Sequence, residues 1–225
     1  MVHNARPKPA TLSRKRIQAV VILFSLLALL CFSAIFAAGC VSASASQSVR
    51  DWNVWSGLQR NFSGQVSSTL QTMDSHQTLL NTAIAGGNPD YPSLRKDLAS
   101  DREALELWVP QMTALDAAAT RFYDNASVLN GTAAYDPGQR INGNINVYLL
   151  NMNAARNELT SYCTNLDAYL AEGSLDYADD SRREAADAAR KRALVYLKQA
   201  DEALTVLDAD ATALEQAQTV HGLSV

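Results

Sequence analysis

Apolar residues recur at alternating intervals of three and four along most of the chain. In residues 49–85 they form one helical face, which begins near Trp55 and ends near Ile84. In residues 94–129 and again in residues 141–169 the four-three alternation is unbroken. A repeat that averages 3.5 residues keeps one row of side chains, here called a seam, turned toward a neighbouring helix. These patterns predict three long amphipathic helices.

A fourth helix is predicted after Gly173 and runs to about Gln218. Its start is either Ser174 or Ser181, because Ser181 and Glu184 fit a capping box. Its seam is built largely from alanine, and small side chains let a neighbouring helix approach closely. The residues at strict seven-residue spacing are Ala186, Ala193, Ala200, Leu207 and Leu214.

Glycine and proline separate these helices at the expected places. Residues 86–90, Gly-Gly-Asn-Pro-Asp, end the first helix, since glycine closes a helix without steric cost and proline cannot continue one. Pro110 removes a backbone donor within the second helix and predicts a kink near Glu106. Asp136 followed by Pro137 predicts the start of the third helix.

Four long helices with short breaks predict an all-α fold, an elongated antiparallel up-down-up-down four-helix bundle that spans residues 49–225. Residues 41–48 are rich in serine and alanine and show no apolar period. They predict a flexible tether ahead of the bundle.

The apolar run from Ala19 to Val41 is long enough to cross a bilayer core of about 30 Å as a helix. Basic residues precede it and the first acidic residue is Asp51. A basic flank stays on the cytoplasmic side, so the chain after the run is predicted to face outward. Residues 1–40 are therefore interpreted as a signal peptide or membrane anchor.

The end of this run, Ala37-Ala38-Gly39-Cys40, resembles the lipobox of prokaryotic surface lipoproteins. The resemblance covers the first forty residues and implies cleavage before Cys40 and lipidation of its thiol. The alternative is an uncleaved transmembrane helix with the same topology.

Charge and cysteine content limit which partners and disulfide bonds are expected. All 23 acidic residues follow Cys40, but only 14 of the 19 basic residues do, so the outer part of the chain is strongly acidic. That balance argues against binding nucleic acid. Cys163 is the single cysteine beyond Cys40, and it is either a small buried hydrophobe or a partner in an intermolecular disulfide.

No catalytic, cofactor or metal-binding motif occurs in the chain, so the protein is predicted not to be an enzyme and to hold no cofactor or metal. A di-iron bundle needs Glu three residues before an inward His, but Met73 precedes His76 and Gln218 precedes His221. Asp101 and Asp210 interrupt apolar seams, where they either specify helix register or line a polar pocket.

Three tripeptides fit the N-glycosylation pattern, at Asn61, Asn125 and Asn130, and Asn130 is the best acceptor because it falls in a predicted loop. Trp52 and Trp55 follow the tether. They are expected to cap the bundle core, and the alternative is a place at a membrane interface.

These observations predict a surface-tethered, non-enzymatic helical protein that acts as an interaction, spacer or scaffold module of the cell envelope. It is expected at the cell membrane with its domain on the extracytoplasmic side, and its expected partners are the membrane and other envelope proteins. The alternative is an extracytoplasmic small-ligand-binding domain, since a membrane segment followed by long antiparallel helices resembles the four-helix sensor domains of chemoreceptors. The oligomeric state stays open.

Overall fold

A computed structural model describes the backbone of residues 14–87, 89–173 and 180–220, and the side chains of residues 47–87, 89–173 and 180–217. The chain forms two compact units, Met1–Ala43 and Ser44–Val225. All regular elements in the described residues are helices, and the fold is bundle-like. The helices are α1 (Arg14–Ala85), α2 (Tyr91–Glu106), α3 (Trp108–Ser127), α4 (Tyr135–Gly173) and α5 (Asp180–Val220).

The first unit carries the predicted anchor. Ala19–Val41 and Cys40 precede Gln47, the first residue whose side chain is described, so the predicted anchor and lipidation site lie outside the described side chains. Among the residues whose side chains the structure describes, no helix is long and apolar enough to cross a membrane.

Residues 41–48, for which the sequence predicts a flexible tether, lie within α1. The segment contains neither glycine nor proline. Alanine has the highest helix propensity, and serine costs only a few tenths of a kcal/mol, so a flanking helix propagates through it.

The predicted break between the first two helices is confirmed. Gly87 adopts a φ of +71°, and its N–H donates to the carbonyl of Ile84 at 3.1 Å, which closes the end of α1. Asp90 then caps α2, because its side chain accepts from the backbone N–H of Ser93 at 3.3 Å.

The helix predicted for residues 94–129 is divided into α2 and α3 at Leu107. Pro110 causes the division: it has no N–H to offer the carbonyl of Glu106 four residues earlier. The predicted kink near Glu106 is thereby confirmed.

The third and fourth predicted helices are present as α4 and α5. α4 begins at Tyr135, so Asp136 and Pro137 fall in its first turn. It ends at Gly173, where a Cβ atom would lie 2.9 Å from the Tyr91 ring. A larger residue here would have to displace the Tyr91 ring, where the end of α4 meets the start of α2.

The predicted seams form the core of the second unit. Large side chains from α1, α3 and α4 are almost fully buried, and Phe62 meets Trp108 edge to face with ring centroids 5.7 Å apart. On α5 the buried seam consists chiefly of Ala186, Ala189, Ala193, Ala200, Ala203, Leu207 and Leu214.

Polar contacts between the helices show which ends meet. His76 of α1 contacts Asp101 of α2, and Asp51 of α1 contacts Asn125 of α3. Between α4 and α5, Glu158 binds Arg192 while Arg140 binds Asp210. Sequence numbers therefore rise along one helix of each pair as they fall along the other. Between α2 and α4, Arg95 binds Asp167.

Candidate functional site

The predicted polar interruption of the α2 seam is a buried carboxyl group paired to α1. Asp101 has a side chain only 2% exposed, and its Oδ1 lies 2.8 Å from Nδ1 of His76, whose side chain is 20% exposed. This contact joins α1 to α2. In the described residues, the other carboxyl oxygen of Asp101, Oδ2, is buried without a hydrogen-bond partner.

Burial dominates the electrostatics around this carboxyl group. It raises the pKa of Asp101 above the ordinary 3.8, and the interaction with His76 lowers that pKa in part. Burial also raises the pKa of the Cys163 thiol to about 12, with a smaller contribution from the charge of Asp101. Burial is also the main reason that the pKa of the Tyr162 hydroxyl is raised. Asp101, Tyr162 and Cys163 therefore share one poorly hydrated region of the core.

Asp210, the second polar interruption of a seam, is fully engaged. Its Oδ1 accepts from Nε of Arg140 at 2.7 Å and its Oδ2 accepts from Nδ2 of Asn144 at 3.3 Å. Both partners come from α4, so the carboxylate fastens α5 to α4. This is the role of a register contact.

The two tryptophans near the start of the second unit belong to its core. Trp52 and Trp55 stack with centroids 5.3 Å apart and are 6% and 1% exposed. Phe122 and Tyr148 pack edge-on against them. The expectation that they cap the core is confirmed, and their burial excludes the alternative place at a membrane interface.

An open groove of about 720 Å³ lies between α3 and α4 and is called the α3–α4 groove below. Its apolar lining comes from Val109, Met112, Leu149 and Leu150. Leu150 is 70% exposed. The polar lining residues are Thr113, Asp116, Asn146, Asn153 and Arg156.

Sequence reasoning missed this groove. Except for Met112, which belongs to the predicted seam of residues 94–129, its lining residues lie beside the seams, and seam periodicity says nothing about positions that stay at the surface. Two signals were present in the sequence: the adjacent pair Leu149-Leu150, only one of which can face the core, and the asparagines of the first half of α4.

The glycosylation candidates occupy three different settings. Asn61 is exposed within α1, and Asn130 is exposed in the turn after α3. Asn125 is half-buried in α3, where its Nδ2 donates to Oδ2 of Asp51 at 2.9 Å and to the carbonyl of Arg121 at 3.1 Å. Helical periodicity does not predict the bond between Asn125 and Asp51, because the two residues are far apart along the chain.

Within the described side chains, no group of three or more His, Cys, Asp or Glu residues is placed to hold a metal ion. His221 lies outside the described residues. Cys163 lies in the core with its sulfur buried. The interpretation of Cys163 as a small buried hydrophobe is confirmed, and its burial disfavours the intermolecular disulfide.

Comparison with known proteins yields no relative from which a function can be transferred. The chain matches no protein-family model, no curated protein and no solved structure.

Proposed function

We propose that this chain is a non-enzymatic, envelope-tethered helical module that binds a partner protein through the α3–α4 groove. The observation that carries the proposal is the open apolar lining of that groove, with Leu150 70% exposed at its centre. Covering such side chains is favourable by roughly 25 cal/mol per Å² of apolar surface removed from water. Contiguous apolar patches on soluble surfaces commonly mark interaction sites.

The partner segment that suits the groove is an amphipathic helix. Both walls are helices, and their lining residues recur at steps of three and four, as in Val109, Met112 and Asp116 on α3. A helix fits between two such ridges. Its apolar face would meet Leu149 and Leu150, and its polar flanks would meet the charged and amide groups at the rim.

The scaffold behind this surface is inferred to be an antiparallel up-down-up-down four-helix bundle, with α2 and α3 together acting as one broken helix. The support comes from the contacts between the helices. Residue numbers rise along α1 as they fall along α2–α3, and they rise along α4 as they fall along α5.

A matched pair of leucine variants tests the groove. Leu150→Asp introduces a charge into it, while Leu194→Asp does the same at an exposed leucine on α5 that does not line the groove. In crosslinking from native membranes, the wild type and Leu194→Asp should give the same partner adduct, and Leu150→Asp should lose it. Circular dichroism melts should agree for all three. Equal adduct yields from the two variants would refute a groove-specific partner.

The membrane anchor and the outward location are part of the same proposal, supported by the apolar run Ala19–Val41 and its basic flank. Mass spectrometry of the membrane form should find a mature chain that starts at a diacylated Cys40. An intact chain beginning at Met1 would replace the lipid anchor with the transmembrane alternative.

A small-ligand-binding role is the second candidate function. It is favoured by the buried carboxyl group of Asp101, whose Oδ2 has no hydrogen-bond partner in the described residues.

A further inference from the structure

The outer side of α5, opposite its buried alanine seam, carries both apolar and charged side chains. At about 100° per residue, positions three and four apart share one side of a helix. Leu194, Val195 and Val206 are 50%, 54% and 47% exposed on this side. Together with the exposed charges between and beside them they form a surface that is called the α5 outer face, which consists of Lys191, Leu194, Val195, Lys198, Glu202 and Val206.

The charge of α5 is divided along its length. Residues 180–198 contain six basic and three acidic side chains, whereas residues 199–220 contain five acidic and no basic ones. Some of the arginines bind carboxylates of other helices. On the outer face, Lys198 lies 3.4 Å from Glu202, and the two side chains are 78% and 63% exposed. The outer face is therefore positive in its first half and negative in its second half.

We propose that the α5 outer face binds the same face of a second copy of this chain, with the two α5 helices antiparallel. An antiparallel pair places the basic half of each helix against the acidic half of the other, and symmetry makes this contact occur twice. A parallel pair would place like charges next to each other along the whole contact, which is unfavourable. The charge pattern thus selects both the partner and its direction.

One register of the antiparallel pair satisfies the whole face. With the twofold axis at the height of Ala200, residues whose numbers add to about 400 lie opposite each other. Lys198 then meets Glu202 of the second copy, and Val195 meets Val206 of the second copy. Each Lys198 can bind a carboxylate of its own helix and one of the other helix, while the valines lose contact with water on both sides.

The contact is small, because it involves one helix from each copy. The stretch from Lys191 to Val206 is about 23 Å long at 1.5 Å per residue. Weak, transient interfaces are typically those that bury less than about 1,200 Å². We therefore expect a dimer that forms and dissociates with concentration. The proposal goes beyond the α3–α4 groove and does not depend on it.

Sedimentation of the purified full chain in detergent, over a range of concentrations, tests the association. The wild type should show a monomer–dimer equilibrium. Lys198→Glu and Glu202→Lys should each weaken dimerisation by about tenfold or more, because each creates two like-charge contacts in the symmetric pair. Lys96→Glu and Glu103→Lys make the same charge changes at exposed positions of α2 and should have no effect. A monomeric wild type, or equal association in all five proteins, would overturn the proposal.

Charge exchange separates a contact between copies from an effect within α5. Each single substitution also breaks the ion pair of its own helix, and mixing two chains cannot restore that pair. A mixture of tagged Lys198→Glu and untagged Glu202→Lys chains should nevertheless copurify, because the charges are again complementary across the contact. The double variant should dimerise with itself as the wild type does. Recovery in neither sample would refute the antiparallel register.

The apolar part of the face has its own matched pair. Val206→Asp should weaken dimerisation several-fold, and Val147→Asp, at a valine of α4 that is 45% exposed, should not. Equal dimerisation of these two variants would exclude the α5 outer face. Leu150→Asp should dimerise normally, whereas Leu194→Asp should weaken the dimer and keep the adduct of the groove. Failure of the groove proposal and failure of this one are therefore separable. Circular dichroism uses dilute samples, in which the chain is expected to be monomeric.

Discussion

His76 Nδ1 lies 2.8 Å from Oδ1 of Asp101, and this contact joins α1 to α2 through a carboxyl group that is almost fully buried. Burial raises the pKa of that carboxyl group above the ordinary 3.8, despite the opposing effect of His76. The folded chain therefore holds a proton on Asp101 more tightly than the unfolded chain does. The resulting stability is present at low pH and is lost as pH rises through the folded-state pKa.

The first prediction follows from this loss of stability with rising pH. Asp101→Asn removes the titration without changing the side-chain shape, so the melting temperature of the variant relative to the wild type should increase between about pH 4 and pH 7. Thermal melts followed by circular dichroism across this range measure the difference. Titrations of groups that do not interact with Asp101 are common to both proteins and cancel in this difference. A difference that is constant or falls with pH would contradict the inferred shift.

The second prediction concerns two leucines that lie two positions apart in the sequence. Leu105 is 0% exposed in α2, whereas Leu107 is 59% exposed at the junction of α2 and α3. Leu105→Ala should open a cavity and lower the free energy of unfolding by about 2–5 kcal/mol. Leu107→Ala should change it by less than about 0.5 kcal/mol. Urea denaturation of both variants gives the comparison, and equal losses would mean that the α2 seam is not the core.

Local features of the fold could be predicted from the sequence because they depend on near neighbours. The four-three period identified the buried positions of α2, α3 and α4, and Pro110 located the break between α2 and α3. Gly86-Gly87 and Asp90 marked the turn between α1 and α2. Residues 41–48 lie within α1, because a segment without an apolar period can still be helical where no glycine or proline stops the helix.

The candidate sites could not be predicted, because each depends on how helix faces meet. His76 and Asp101 are 25 positions apart and Asp51 and Asn125 are 74 apart. Helical spacing alone does not say which side chain of α1 turns toward α2. The sequence did mark Asp101 as a polar group in an apolar seam and left open whether it set register or lined a pocket.

The third prediction tests the alanine seam of α5. Ala193 and Ala200 are 0% and 1% exposed, so Ala193→Leu or Ala200→Leu must push a neighbouring helix away and should cost about 1–3 kcal/mol. Ala188→Leu, at an exposed position of the same helix, is the control and should be nearly neutral. The denaturant midpoints of the three variants are compared with that of the wild type. An Ala193→Leu protein as stable as the wild type would show that the packing around Ala193 can accept a larger side chain.

The fourth prediction separates the glycosylation candidates. Both hydrogens on Nδ2 of Asn125 are used, one toward Asp51 and one toward the carbonyl of Arg121, and a glycan would replace one of them. In a secreting host that glycosylates the Asn-x-Ser/Thr pattern, we expect occupancy at Asn130 and none at Asn125. Peptide mass spectrometry reports occupancy, with Asn130→Gln as the control. A glycan on Asn125 in folded protein would show that its bond to Asp51 is dispensable.

The last prediction concerns the reactivity of Cys163. Its side chain is 0% exposed, and burial raises the pKa of its thiol to about 12. Only the thiolate attacks a maleimide, so at about pH 8 both the accessible area and the reactive fraction are very small. Peptide mapping should therefore find Cys163 unlabelled in the native chain and fully labelled in denaturant. Fast labelling of the native chain, or a disulfide-linked dimer through Cys163, would mean that α4 opens at this point and that the buried thiol is not part of a permanent core.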